Sequence, residues 1–228
     1  MATSDRYDFN PGIGTLTLNA FARCGVRRTM LTSQHMEDAY LECNLLQADW
    51  SADGIIWWTV ALVQQPLTAG SPSYALPRNT VSVLDVYIAP NGGTTGQNRL
   101  IMPFSRTDYA SLANPLQTGF PTSFWFDRAL QPTITLWPAP DTATDYVMSY
   151  YIYTQMEDAN LRNGGNAAIP YWWLNAYTAD LAHRLSRIYA PALEQMRKAD
   201  RDEAYQRASK QVEPSPMYIQ PGLAGYFR

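Results

Sequence analysis

Lysine is nearly missing from this chain. Of its 17 basic residues only Lys198 and Lys210 are lysines, and charged residues of both signs amount to 16% of the 228, against roughly 25% in an average soluble domain. A fully solvated exterior draws on lysine and glutamate. With 7 Trp and 15 Tyr, the balance of arginine and aromatics over lysine resembles the core of a protein–protein interface more than a free surface, with an ordinary aromatic-rich β domain the competing account. Cysteine and histidine are scarce as well. Cys24 and Cys43 are the only cysteines and have no CxxC spacing, which excludes a disulfide framework or a zinc ribbon. The longest apolar run, 55–63, is too short to span a bilayer and is interrupted by Thr59. No apolar N-terminal run of the signal-peptide kind is visible, so the expectation is folding in a reducing cytoplasm, buried thiols and no membrane.

Chemical motifs are equally thin. His35-Met36-Glu37-Asp38 lacks the second histidine of a zincin helix, and His183 stands three residues after Asp180, so both histidines read as structural or surface residues. Gly12-Ile13-Gly14 has no third glycine at the required spacing, and no Gly-x-Ser-x-Gly elbow occurs. No cofactor and no metal are expected. Glu37, Glu42, Asp49 and Asp53 share one helical segment and allow glycoside hydrolysis, as by a peptidoglycan-degrading enzyme, as an alternative, although a solvated acidic face explains the same residues. Trp57, Trp58, Trp125 and Trp137 allow a carbohydrate-binding β module, with core packing the competing account.

What is present is organised. Residues 1–14 read as an N-terminal arm. Leu16, Ala20, Phe21 and Cys24 mark one face of a short helix that Gly25 ends. Ser33 is a candidate N-cap for a helix of about five turns carrying Met36, Ala39, Tyr40, Cys43, Leu46 and Trp50, stopped at Gly54. Beyond it, β-branched and aromatic runs at 55–65, 73–76, 81–89, 99–103, 123–127, 133–137 and 146–154 alternate with turns such as Asn91-Gly92-Gly93 and Ala139-Pro140-Asp141. A short helix capped by Ser105 interrupts them. After the linker Asn163-Gly164-Gly165-Asn166, Trp173, Tyr177, Leu181, Leu185 and Ile188 form a second helical stripe. Pro191 opens a last helix with Leu193 and Met196 facing inward, Glu194 paired to Lys198, and an end near Val212.

These elements predict an α+β fold: an antiparallel helix bundle, an inserted small antiparallel β-sheet or sandwich module, and an extended C-terminal tail. The expected division is an arm at 1–14, a helical core at 15–54 and 166–213, the β module at 55–165 and the tail at 214–228. That tail carries three prolines and no charge before Arg228, unlike the polar composition of ordinary disordered tails. Charge is uneven too. Residues 29–161 hold four basic and twelve acidic side chains, which argues against binding a nucleic-acid backbone but suits a channel wall along which DNA slides.

The corner Ala48-Asp49-Trp50-Ser51-Ala52-Asp53-Gly54 before a strand, the turn Gly70-Ser71-Pro72-Ser73-Tyr74-Ala75-Leu76-Pro77 and the string Leu136-Trp137-Pro138-Ala139-Pro140 occur in that order. Ile169-Pro170-Tyr171-Trp172-Trp173 then opens a helix. In this order they resemble the podovirus tail accessory factors, the head-to-tail adaptor (connector) family, over about residues 34–190. The resemblance implies a non-enzymatic virion protein forming a twelve-fold ring that binds the portal protein, extends the DNA channel without sequence-specific DNA contact and carries the tail nozzle. Its implied location is the head–tail junction of the virion, after assembly in the host cytoplasm. On that basis Tyr218, Ile219, Leu223, Tyr226, Phe227 and Arg228 are the candidate contacts to portal or neighbour, and Asn91, Gly92, Gly93 and Asn98 the candidate nozzle-facing loop.

Overall fold

A computed structural model describes residues 8–54, 57–93, 97–143, 145–161 and 165–210. It has the expected α+β architecture, with five α-helices and a seven-stranded sheet. The chain divides into two compact units, one holding residues up to Asn44 and from Ala159 onward, the other Leu45–Asp158.

The first unit is helical. Helix α1 (Ile13–Arg23) begins earlier than the sequence pattern suggests: Ile13 is buried, and Gly12 pairs with Asn166 in an antiparallel bridge. The part of the expected arm before Gly12 is described from Asp8 onward. Gly25 ends α1 at φ +81°, its N–H bonding the Ala22 carbonyl at 3.0 Å while Val26 N–H reaches Phe21 at 3.0 Å. These two bonds satisfy carbonyls that the helix end leaves over, and the left-handed backbone they need suits glycine.

Helix α2 (Ser33–Ala52), of which Leu45–Ala52 count with the second unit, is capped by Thr32 and not by Ser33. The Thr32 hydroxyl lies 2.6 Å from His35 Nδ1, and Thr32 N–H donates to the same nitrogen at 3.3 Å. Ser33 is already inside the first turn, one residue too late to cap it.

Helix α4 (Leu174–Tyr189) follows a 3-10 turn at Tyr171–Trp173 and packs on both α1 and α5 (Glu194–Ser209). Trp173, Tyr177, Leu181 and Leu185 are buried as expected, but Ile188 is exposed. Met196 is also exposed and Leu193 only half-buried; α5 is instead buried through Ala204 and Ala208, whose small side chains allow close approach to α4. The ion pairs seen on α5 are Arg197–Asp200 at 2.9 Å, Arg201–Asp202 at 2.6 Å and Arg207–Glu203, in place of Glu194–Lys198.

The second unit is built around a sheet in the order β1-β9-β3-β4-β6-β7-β2. Its strands are β1 (Val60–Pro66), β2 (Ser73–Ala75), β3 (Thr80–Ala89), β4 (Arg99–Pro103), β6 (Ser123–Asp127), β7 (Thr133–Trp137) and β9 (Val147–Thr154). All neighbouring pairs are antiparallel except β4 with β6, where Met102 meets Ser123 and Pro103 meets Phe124 in parallel. A parallel pair needs a long crossover, and residues 104–122, carrying α3 (Arg106–Ala110) and β5 (Thr118–Gly119), supply it. Ala139-Pro140, expected as a turn, forms β8 and pairs in parallel with β5. Ser105 caps α3 through a reciprocal capping box with Asp108. Val86, Ile88, Ile101, Phe124, Ile134, Leu136, Met148, Tyr150 and Ile152 fill the core on one face of the sheet.

Candidate interaction surfaces

The motif residues build the second unit from within. Gly70, at φ +75°, donates its N–H to the Pro140 carbonyl at 2.7 Å, and Leu136 N–H donates to Pro72 at 2.7 Å. The turn around Gly70 and the Leu-Trp-Pro-x-Pro string are therefore two halves of one clamp. Within that turn the Tyr74 hydroxyl both donates to the Thr68 carbonyl and accepts from Thr68 N–H, each at 3.0 Å. Trp137 Nε1 donates to the Asn114 carbonyl at 3.1 Å, tying the string to the crossover. The Trp137–Pro138 peptide is cis.

What this framework presents is an apolar outer sheet face. Register sets Val60 opposite Tyr153 and Leu62 opposite Tyr151, and places Tyr87 opposite both Ser149 and Leu100. Cross-strand partners share a face, so Val60–Tyr153, Leu62–Tyr151 and Ser149–Tyr87–Leu100 are successive rungs on one face of β1, β9, β3 and β4, with Met102 two residues beyond Leu100 and Gln64 donating to the Ser149 hydroxyl at 3.3 Å on the last rung. Leu62 is 51% exposed and Met102 63%. The Tyr87 and Tyr151 rings meet edge-on at 6.4 Å, as do Trp57 and Tyr153. No charged residue occupies these register positions, and the nearest charge on β3 is the exposed Asp85, in the irregularity between Val83 and Val86. A contiguous apolar patch of this kind marks an interaction surface.

The helical unit carries its own aromatic surface. Of the three aromatics at the entry to α4 only Trp173 is buried, edge-on to Tyr205 at 5.6 Å; Tyr171 and Trp172 are exposed and meet at 5.2 Å. Along α2 a groove of about 300 Å³ is lined by Ser33, Met36, Glu37, Tyr40 and Leu161, and Leu41 lies exposed beside Tyr40 on the same helix.

The titratable groups are engaged in structure. His35 stacks on Tyr189 at 4.5 Å and meets Phe21 edge-on at 5.8 Å. The Tyr189 hydroxyl donates to Asp38; burial and that carboxylate push it up to about 12. Arg184 lies 3.8 Å from Glu42 and 3.5 Å from Asp180. Glu37 lines the groove, and Asp49 and Asp53 are exposed on the α2 side and just past its end. His183 is buried, and its Nδ1 has no hydrogen-bond partner among the described residues. Burial, then the Arg201 and Arg187 charges, lower its pKa. Both thiols are free and buried; Cys24 donates to the Ala182 carbonyl at 3.2 Å, and burial raises it to about 11. Among the described residues no three His, Cys, Asp or Glu side chains gather as metal ligands, and no helix is long and apolar enough to cross a membrane.

Of the candidate residues, Asn91, Gly92 and Gly93 form a 3-10 turn after β3, with Gly92 N–H bonding Asp145 at 2.9 Å, and Asn98 is exposed just before β4. Tyr218, Ile219, Leu223, Tyr226, Phe227 and Arg228 lie outside the described residues, as do Asn163, Gly164 and Val212. Trp57, Trp58, Trp125 and Trp137 are not core residues: Trp57 is exposed and the others half-buried, with Trp125 stacked on Tyr109 at 5.8 Å. The outer sheet face was not legible in the sequence, because its strands are apolar in both alternating phases.

No curated protein matches the chain. The sequence profile of a known family, described as the SU10 adaptor protein, matches residues 26–221. With most of its length so matched, over the clamp, the sheet and the helices around them, the chain belongs to the SU10 adaptor protein family of phage head-to-tail structural adaptors.

Proposed function

We propose that copies of this chain close into a twelve-fold ring that binds the portal protein, extends the DNA channel and offers a platform to the tail nozzle. The observation that carries this reading is the largely apolar outer face of the sheet, on which Leu62 and Tyr151, then Tyr87 and Leu100, stand on successive rungs. A closed ring needs a heterologous contact in which one surface meets a different one on the next copy. The sheet face and the Tyr171–Trp172 surface of the helical unit are two such surfaces. The acidic excess of residues 29–161 suits a wall that DNA passes without adhering. Tyr218, Ile219, Leu223, Tyr226, Phe227 and Arg228 are assigned to contacts with portal or neighbour, where large aromatics act as anchors, and Asn91, Gly92, Gly93 and Asn98 to the nozzle side. The protein then resides at the head–tail junction of the virion, reached from the host cytoplasm.

Mixing the purified chain with portal rings and weighing the product by native mass spectrometry tests this. The expected product carries as many adaptor copies as the portal has subunits. No association across salt and protein concentration would overturn the proposal.

A further inference from the structure

We infer that the free edge of β1 receives residues 216–221 of a neighbouring copy as an added strand; this rests on the tail reading above and names the surface the tail uses. Strand β1 ends the sheet order, with β9 on one side and no described strand on the other. Such an edge offers a row of unpaired N–H and C=O groups, which proteins ordinarily block with charge, proline, a bulge or a covering segment; here the one proline, Pro66, is the last residue of the strand and leaves the edge from Val60 to Gln65 open. This edge has no charged side chain from Val60 to Pro66, and its register against β9 runs unbroken from Val60–Tyr153 to Pro66–Val147. The register shifts of the sheet fall between β3 and β9 instead. Burial shows the same lack of cover. Ala61 and Val63 point to the core side but are only half-buried, while their partners Ile152 and Tyr150 are fully buried. On the other face Val60 and Leu62 are open. A further strand would shield both faces at once.

The occupant has to be uncharged, apolar and short, and residues 214–227 are uncharged throughout. Pro216 and Pro221 bracket Met217, Tyr218, Ile219 and Gln220, four residues that all keep a backbone N–H. Prolines cannot donate to a ladder, and each favours extended backbone in the residue before it. The bracketed piece is therefore long enough for a short strand, which once added to an edge would set Met217 and Ile219 on one face and Tyr218 and Gln220 on the other. Counted from Lys210, residues 211–228 reach up to ~60 Å when extended, enough to cross to another subunit. Strand addition to an exposed edge is a recurring mode of peptide capture. A tail that covered its own edge would join nothing, so the occupant is the tail of another copy.

Hydrogen–deuterium exchange of the full-length chain, free at rising concentration and bound to portal rings, tests this. We expect the β1 amides to exchange at least about tenfold more slowly in the assembled state than at high dilution. Ile219→Asp, outside the described fold, and Leu62→Lys, at an exposed position, should each abolish that protection. Unprotected β1 amides in both states would overturn the inference. So would protection that survives Ile219→Asp, the mark of another occupant such as β1 of a second copy, or protection independent of concentration, the mark of a tail on its own edge. Portal binding is scored separately. If Ile219→Asp removes β1 protection yet still joins portals, strand addition stands and the tail's role in portal attachment fails.

Discussion

At the scale of single residues, the atoms that matter most are those that close short circuits in the backbone. The Tyr74 hydroxyl satisfies both polar groups of Thr68, so Tyr74→Phe should cost about 1–2 kcal/mol, read from the urea midpoint. The sequence singles out Tyr74 through its motif, but Thr68, six residues earlier, carries no signal of its own. His183 gives a pH prediction whose sign follows from its environment. Its folded pKa lies below the ordinary value, so the unfolded chain takes up a proton that the folded chain resists, and stability falls as pH drops through about 6.5. Melting temperatures between pH 7 and pH 5 should show a fall that His183→Leu reduces. Cys24 acts at the alkaline end. Its folded pKa is raised to about 11 from 9.0, so its contribution is intact below about pH 9 and lost between there and about pH 11. Thiol titration should find both cysteines slow to react until the protein is unfolded.

At the scale of elements, alternation located strands better than it oriented them. β4, β6 and β7 begin and end where the β-branched and aromatic runs do, because turn residues bound them on both sides. Orientation was lost where both phases are apolar: in Arg99-Leu100-Ile101-Met102-Pro103 only Ile101 is buried, and nothing local separates it from its neighbours. Helices failed for a related reason. Met196 and Leu193 have helical spacing, but α5 reaches α4 through Ala204 and Ala208, whose small size allows close approach while contributing little apolar signal. The α2 cap was misplaced by one residue because Thr32 and Ser33 are both good caps, and the tie was broken by His35, whose ring answers Thr32. Thr32→Ala should cost about 1 kcal/mol by chemical denaturation, and Ser33→Ala much less.

At the scale of the whole molecule, the family was legible and the apolar sheet face was not. Gly70, Tyr74, Trp137 and Pro140 carry the resemblance because they hold the clamp together, and a clamp constrains residue type strongly. Exposed apolar residues such as Leu62 and Met102 obey no spacing rule; they become visible only when register brings distant strands onto one face. We expect removal of residues 214–228 to leave a folded chain that no longer joins portal rings, with unchanged circular dichroism and a lost native-mass product as the paired readouts. On the proposed apolar contacts, attachment should weaken little between low and moderate salt, unlike an electrostatically steered contact.

The scarcity of lysine has an experimental consequence. Lys198 is exposed on α5 and Lys210 closes it, and residues 45–158 contain no lysine. An amine-reactive cross-linker therefore reports on the side chains of a single helix, and a cross-link map of the assembled junction would leave the sheet blank however tightly it is held. Carboxylate-directed reagents, which find Asp85, Asp127 and Asp145 in that unit, are the chemistry that would make its neighbours visible.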